Sequence, residues 1–266
     1  MFDEASANNV AILVTSCDKY QDIWEPFFTL FFRYWQDCPY PVYLGTNRLK
    51  YDHGRVKTIA VGDETDWSSD FRSMLEQIPQ PYVIVLIEDY LLTQHIDTTM
   101  IEELITYMGD KGAGCLRLYP CPGPDLPCSD NPLVGEISKG ADYRLSLQAA
   151  IWDKQVLLEL LREGESAWEL EINGSKRTSD LDAPFLSVIG DSPIPYFCTG
   201  VVKGKWVKEA VKLCATEGIK VDLTARSMQT PVDRLLRSAM IGRLIEFARE
   251  RSTIANKFIN FVKSRQ

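Results

Sequence analysis

From Tyr82 to Ile87 the chain reads Tyr-Val-Ile-Val-Leu-Ile and then changes at once to Glu88-Asp89. A strand with one wet face alternates apolar and polar residues. This run has no polar position, so as a strand it must be covered on both faces. Its β-branched residues favour the extended backbone, and its length is far below the roughly 20 residues a membrane-spanning helix requires. Val10-Ala-Ile-Leu-Val14 repeats the pattern and ends in Thr15-Ser16-Cys17-Asp18. Two strands of this kind belong in the middle of a sheet with helices on either side.

The rest of the first half supplies those helices. Aromatic and aliphatic residues crowd Trp24–Trp35, with Pro26 tolerable in a first helical turn. Ser68–Ile78 reads as a helix stopped by Pro79 and Pro81, and Asp97 is placed to cap a helix running to Met108. Short strands are expected at Pro41–Leu44, Thr58–Val61 and Gly114–Leu118. Strand and helix alternate over this region, which predicts an α/β fold: a Rossmann-type mixed, mostly parallel sheet flanked by helices. Residues 119–135 hold five prolines and two glycines and read as a long ordered loop or lid. Beyond them, Ala141–Ile151 is expected as strand, Asp153–Leu161 as a short helix and Lys205–Thr216 as an amphipathic helix. One domain over 1–230 with a C-terminal helical extension over 231–266 is the organisation this implies.

Charge narrows the function classes. Acidic residues outnumber basic ones 37 to 29, a net charge of −8, so the whole-molecule footprint of a nucleic-acid binder is missing. Residues 231–266 reverse the sign, with eight Lys/Arg against three Asp/Glu. Their apolar residues recur at helical spacing, as in a basic amphipathic helix. Such a helix suits contact with an anionic membrane surface, or packing on its own domain or a second subunit. The opening MFDEASANN is unlike a secretory leader, and seven cysteines, an odd number, suit reduced thiols. The expectation is a cytoplasmic protein, peripheral at the inner face of the plasma membrane if the tail binds lipid.

Three clusters can carry chemistry. Glu88-Asp89 stands where the most apolar strand ends, and ligands of open α/β sheets bind beyond the carboxyl ends of strands. Carboxylates there can hold a hard divalent cation, Mn²⁺ or Mg²⁺, which in turn binds a diphosphate; alternatively they cap a turn. Thr15, Ser16 and Asp18 follow the first strand, where a nucleotide would lie. No GxGxxG or GxxxxGK[ST] is present, which disfavours hydride-transfer and P-loop enzymes. Arg72 is placed to point at the same site or to form a surface ion pair. Next, Glu165-Ser-Ala-Trp168-Glu169-Leu-Glu171 precedes Lys176-Arg177. There Glu169 or Glu171 could activate a hydroxyl, Trp168 could stack on a sugar ring, and Lys176 and Arg177 could balance phosphate charge; a surface helical turn fits as well. Finally, Arg144, Ser146 and Gln148 alternate ahead of Trp152 and would share one strand face, suited to sugar hydroxyls or to solvent.

The run of segments VTSCDKYQDIWEPFF, YWQDCPYPVYLGTN, VLIEDYLL, CLRLYPCPGP and YRLSLQAAIWDKQVLLELLREGESAWELEINGSKR resembles bacterial glycosyltransferases of the nucleotide-diphospho-sugar (GT-A) type, associated with surface-polysaccharide or O-antigen synthesis. The resemblance covers about residues 10–215. It implies a nucleotide-sugar donor, a saccharide or lipid-linked acceptor, and a first strand whose end touches the nucleotide. Glu88-Asp89 would stand in the place of the family's D-x-D motif, with Asp89 on the metal. E-D-Y departs from D-x-D, which leaves a cation-independent enzyme open beside a metal-dependent one. Glu169 or Glu171 would be the base of an inverting transfer. A glycoside hydrolase with paired carboxylates, or a non-catalytic relative that keeps sugar or nucleotide binding, are the competing classes.

Overall fold

The computed structural model describes residues 9–231 and Asp233. These residues form two compact units divided at Cys198–Thr199. The expectation of a basic helical extension over 231–266 lies outside the described residues, apart from Pro231 and Asp233.

The first unit is built on a nine-stranded sheet in the order β3-β2-β1-β4-β9-β6-β10-β8-β7. β1 (Val10–Thr15), β2 (Val42–Thr46), β3 (Val56–Ala60) and β4 (Tyr82–Ile87) are parallel neighbours. β9 (Ala150–Asp153) runs antiparallel between β4 and β6 (Cys115–Arg117), and β6 pairs in parallel with β10 (Phe185–Val188). Helices α1 (Gln21–Tyr34), α2 (Trp67–Glu76), α3 (Thr98–Asp110) and α4 (Lys154–Leu160) connect the strands. This is a Rossmann-like mixed α/β sheet. Asp66, Asp97 and Asp153 each cap a helix by accepting from backbone N–H groups of its first turn.

All of β1 is buried, and so are the inner four residues of β4. Ala11, Leu13, Val83 and Val85 pack in one cluster with Phe71, Met74 and Leu75 of α2 and Leu157 and Leu160 of α4. Val10, Ile12, Val14, Ile84 and Leu86 point to the opposite face and are equally dry. The uninterrupted apolar runs are therefore the physical consequence of two covered faces. α2 comes so close to β2 that a Cβ on Gly45 would meet Met74 Sδ at 2.2 Å. Among the described residues no helix is long and apolar enough to cross a membrane. None of the seven cysteines forms a disulfide.

Two segments depart from the sequence reading. The proline-rich stretch extends the sheet through β7 (Leu126–Pro127) and β8 (Val134–Glu136) instead of remaining all loop. The strand expected over Ala141–Ile151 begins only at Ala150, and residues 143–149 lead into it as irregular backbone.

The second unit contains a hairpin, β12 (Val201–Val202) and β13 (Lys205–Trp206), and a helix, α5 (Lys208–Thr216). Lys203 and Gly204 both have positive φ, 51° and 72°, as a two-residue hairpin turn of the favoured hand requires. That turn is why the helix begins after Trp206 and not at Lys205.

Candidate active site

Thr15 at the end of β1 is paired with Ile87 at the end of β4. The loop Ser16-Cys17-Asp18 and the turn Glu88-Asp89 therefore leave adjacent parallel strands side by side. The chain adds β2 and β3 on one side of β1, then returns to place β4 on the other. Such a switch point opens a crevice beyond the carboxyl ends of the strands. Glu88 and Asp89, in the turn directly after β4, are 5% and 8% exposed.

The antiparallel course of β9 brings a third segment to the same rim, since Ala150 at its start pairs with Val85 on one side and Arg117 on the other. Gln148, just ahead of it, organises a polar network. Its Oε1 accepts from the Tyr196 hydroxyl at 2.7 Å and its Nε2 lies 3.4 Å from the Tyr90 hydroxyl, while Ala149 N–H donates to Tyr196 at 3.2 Å. β5 (Leu91–Leu92) pairs with β11 (Tyr196–Phe197), and this lays Tyr196 over Tyr90 with ring centroids 4.5 Å apart. Tyr119 stacks on the other side of Tyr196 at 4.4 Å. Burial pushes the Tyr90 hydroxyl well above its ordinary pKa, reinforced by the charges of Cys198, Asp89, Glu171 and Glu88. Three carboxylates thus lie within electrostatic reach of one buried phenol.

Glu171 reaches this rim from a helical run over residues 167–180, which passes through a π-helical turn at Leu170–Gly174. Its Oε1 accepts from Leu147 N–H at 2.8 Å and from the Ser146 hydroxyl at 3.2 Å. Desolvation raises its pKa, against those hydrogen bonds and the Arg117 charge, which lower it. Arg117 is 1% exposed and donates to the carbonyls of Pro122, Tyr143 and Arg144, tying the loop after β6 to the irregular 143–149 segment.

Glu169 is in a different situation. Its carboxylate accepts from the Ser166 N–H at 2.9 Å and hydroxyl at 2.7 Å, closing a capping box that holds its pKa down. Trp168 beside it is 62% exposed.

Around β1 the predicted residues serve as framework. Thr15 is buried. The Ser16 hydroxyl accepts from Trp24 Nε1 at 2.8 Å. Asp18 accepts from the N–H groups of Asn47, Arg48 and Leu49 at about 3.1 Å and so pins the loop after β2 to the loop after β1.

Several expectations need correction. Arg144, 0% exposed, donates to the Ile137 and Thr178 carbonyls and lies over the Phe185 ring, so no sugar reaches it. Gln148 does not share a strand face with it, because the intervening backbone is not strand. Trp152 is 1% exposed and packs edge-on against Phe185 in the core, where it cannot meet a ligand. Arg72 donates to the Leu158 and Leu161 carbonyls at the end of α4 and lies 4.0 Å from the Glu76 carboxylate, the ion-pair alternative. Arg177 is bound to Glu165 at 2.6 Å and to the Leu160 carbonyl at 2.7 Å. Lys176 is exposed and lines an open concavity with Tyr143.

The Arg177 placement makes a prediction. Arg177→Ala should lower stability by roughly 2–3 kcal/mol, between an exposed and a buried pair. Hydrogen bonds from Arg177 hold the Glu165 carboxyl below its usual range. The pairing therefore contributes above the unfolded pKa and is lost as pH falls through the folded one. Urea unfolding of both proteins across the acid range checks it: a stability deficit that does not shrink in acid refutes the assignment.

Among the described residues no three His, Cys, Asp or Glu side chains converge as a metal site. Glu88 and Asp89 supply two hard oxygen donors, which matches a magnesium-type ion completed by substrate phosphates and water.

No family model matches the chain, and no curated protein matches its sequence. Among solved structures it is similar to S. aureus TarS 1-349, at 12% identity and a TM-score of 0.46, covering 71% of this chain and 59% of that one. The same protein in complex with UDP gives a TM-score of 0.48 at 12% identity, over 81% of this chain and 67% of that one. 4-Diphosphocytidyl-2C-methyl-D-erythritol synthase from Anaerococcus prevotii gives 0.44 at 12% identity, over 81% and 100%.

Proposed function

We propose that the chain is a glycosyltransferase that moves a sugar from a nucleotide-sugar donor to a saccharide or lipid-linked saccharide acceptor in surface-polysaccharide synthesis. The observation that carries this is the register Thr15–Ile87, which sets Glu88-Asp89 at the switch point of the sheet, with Glu171 on the same rim. The nucleotide lies against the loop that Asp18 holds in place, and the diphosphate lies toward Glu88-Asp89. A divalent cation held by Asp89, with Glu88 beside it, would supply positive charge to the leaving diphosphate.

The rest falls to the chain's own groups. The bond between the anomeric carbon and the diphosphate oxygen breaks, and the acceptor oxygen takes its place on that carbon. The acceptor proton passes to the Glu171 carboxylate, whose raised pKa suits it to receive one. Attack from the face opposite the leaving group inverts the anomeric centre. Glu169, committed to its capping box, is not needed for this step. Tyr90, Gln148 and Tyr196 hold the floor rigid, so that the carboxylates keep their spacing.

Thermal unfolding of the full chain with UDP-, GDP-, dTDP- and CMP-sugars, each with Mn²⁺, Mg²⁺ or EDTA, tests the reading. A ligand at 100 times its Kd adds about 2.7 kcal/mol, a shift of roughly 5–10 °C for a unit of this size. One nucleotide class should produce it, and more strongly with cation than with EDTA. No shift with any donor would overturn the proposal.

A further inference from the structure

Tyr143 is the one aromatic residue with positive φ among the described residues. It has a φ of 54°, in the left-handed region that a bulky side chain seldom occupies, yet the residue remains 40% exposed. For a bulky residue that conformation is uncommon and costs backbone strain, which marks the position for a functional question. The ring borders an open concavity of about 430 Å³, faced by Ile172, Lys176 and Ser179 from the helical run and by Asp142 beside it. Ile172 is 39% exposed and lies in the π-helical turn, a distortion frequent at functional sites.

We propose that this concavity binds a neutral pyranose, with one ring face against Tyr143 and Ile172 and its hydroxyls on Asp142, Lys176 and Ser179. The chemistry selects that class. An apolar plate with a few polar groups at its margin matches a sugar, which has one face of C–H bonds and an equator of hydroxyls. A carboxylate and an ammonium at one margin can accept from and donate to hydroxyls, whereas Asp142 would repel a phosphate. The helical run that carries Ile172 and Lys176 also carries Glu171, and Tyr143 opens the segment whose Leu147 N–H holds that carboxylate. The concavity is the subsite for an acceptor residue beyond the one that reacts. That role rests on the transferase reading; saccharide binding itself does not.

Tyr143→Gly tests the assignment, because it removes the ring while relieving the backbone. The main-chain bonds of this position are kept, including the one from Arg117 to the residue 143 carbonyl. Saturation-transfer NMR on the full chain would use the methyl glycosides of glucose, galactose, N-acetylglucosamine and rhamnose as probes. Wild type should show transfer to the ring-face protons of at least one, and Tyr143→Phe should retain it. Tyr143→Gly should weaken it about tenfold or more, with an unchanged or higher Tm and an intact donor-induced shift. No transfer to any glycoside in wild type, or equal binding by Tyr143→Gly, overturns the inference. Saccharide binding without any nucleotide-sugar shift would instead sink the transferase reading and leave the pocket standing.

Discussion

Asp89→Ala should lose nucleotide-sugar binding by about 100-fold or more in the presence of Mn²⁺, with transfer falling at least as far. A carboxylate on the cation that meets a diphosphate acts through charge, so the conservative Asp89→Asn should lose nearly as much while keeping the shape of the turn. That variant also guards against a trivial outcome, because Asp89 is 8% exposed and alanine could disturb the end of β4. Calorimetric titration with the donor found by thermal unfolding, in Mn²⁺ and in EDTA, separates the alternatives. If Asp89 acts through a cation, the two variants bind in Mn²⁺ about as wild type binds in EDTA. If wild type binds equally in both media and Asp89→Asn is unaffected, the diphosphate does not lie against this turn.

The fold was legible in the sequence where burial dictated composition. β1 and β4 are dry on both faces, so apart from Thr15 at the end of β1 their residues are apolar, and their ends could be read to within a residue. Asp97 was readable as a cap because a short acidic side chain before an amphipathic run has one evident use there. The segment 143–149 was misread for the opposite reason. Arg144, Ser146 and Gln148 alternate with apolar residues as a strand would, yet each spacing answers a separate tertiary demand. Arg144 seeks the Ile137 and Thr178 carbonyls, Ser146 the Glu171 carboxylate, and Gln148 the hydroxyls of Tyr90 and Tyr196. A period-two pattern arose without a ladder beneath it.

Of the site, Glu88-Asp89 stood out because charge directly after a buried strand is locally abrupt. Tyr196, Tyr119 and Arg117 carried no such mark. Tyr196 reaches the rim only through β11, a two-residue strand whose partner lies about a hundred residues earlier, and nothing near it signals that pairing. The cations fared worst. Arg72 and Arg177 looked available to phosphate and Arg144 to sugar hydroxyls, and each is spent on main-chain carbonyls, with a carboxylate as well for Arg72 and Arg177. Sequence reveals that a guanidinium exists; only the path of the backbone reveals which oxygens surround it.

Glu171→Gln should cut transfer by roughly 10²–10⁴ while sparing donor affinity, since a positioned base contributes about that much. The substitution is close to isosteric. A glutamine oxygen can still accept from Leu147 N–H and the Ser146 hydroxyl, so the 143–149 segment keeps its anchor. Because burial raises the Glu171 pKa, the folded state holds this proton more tightly than the unfolded chain does. Stability therefore declines as pH rises from the unfolded value through the folded one, and Glu171→Gln should abolish that loss and be at least as stable as wild type at neutral pH. The same shift sets the rate profile. A base must be ionised, so wild-type kcat should rise with pH on a limb centred above the ordinary glutamate value of about 4.3, and the residual activity of Glu171→Gln should lack that limb. Glu169→Gln provides the contrast: it perturbs a capping box, so it should shift Tm slightly and leave the shape of the rate profile alone. Full turnover in Glu171→Gln, or an acid limb that follows Glu169 instead, would move the base to another carboxylate and detach the π-helical turn from the chemistry.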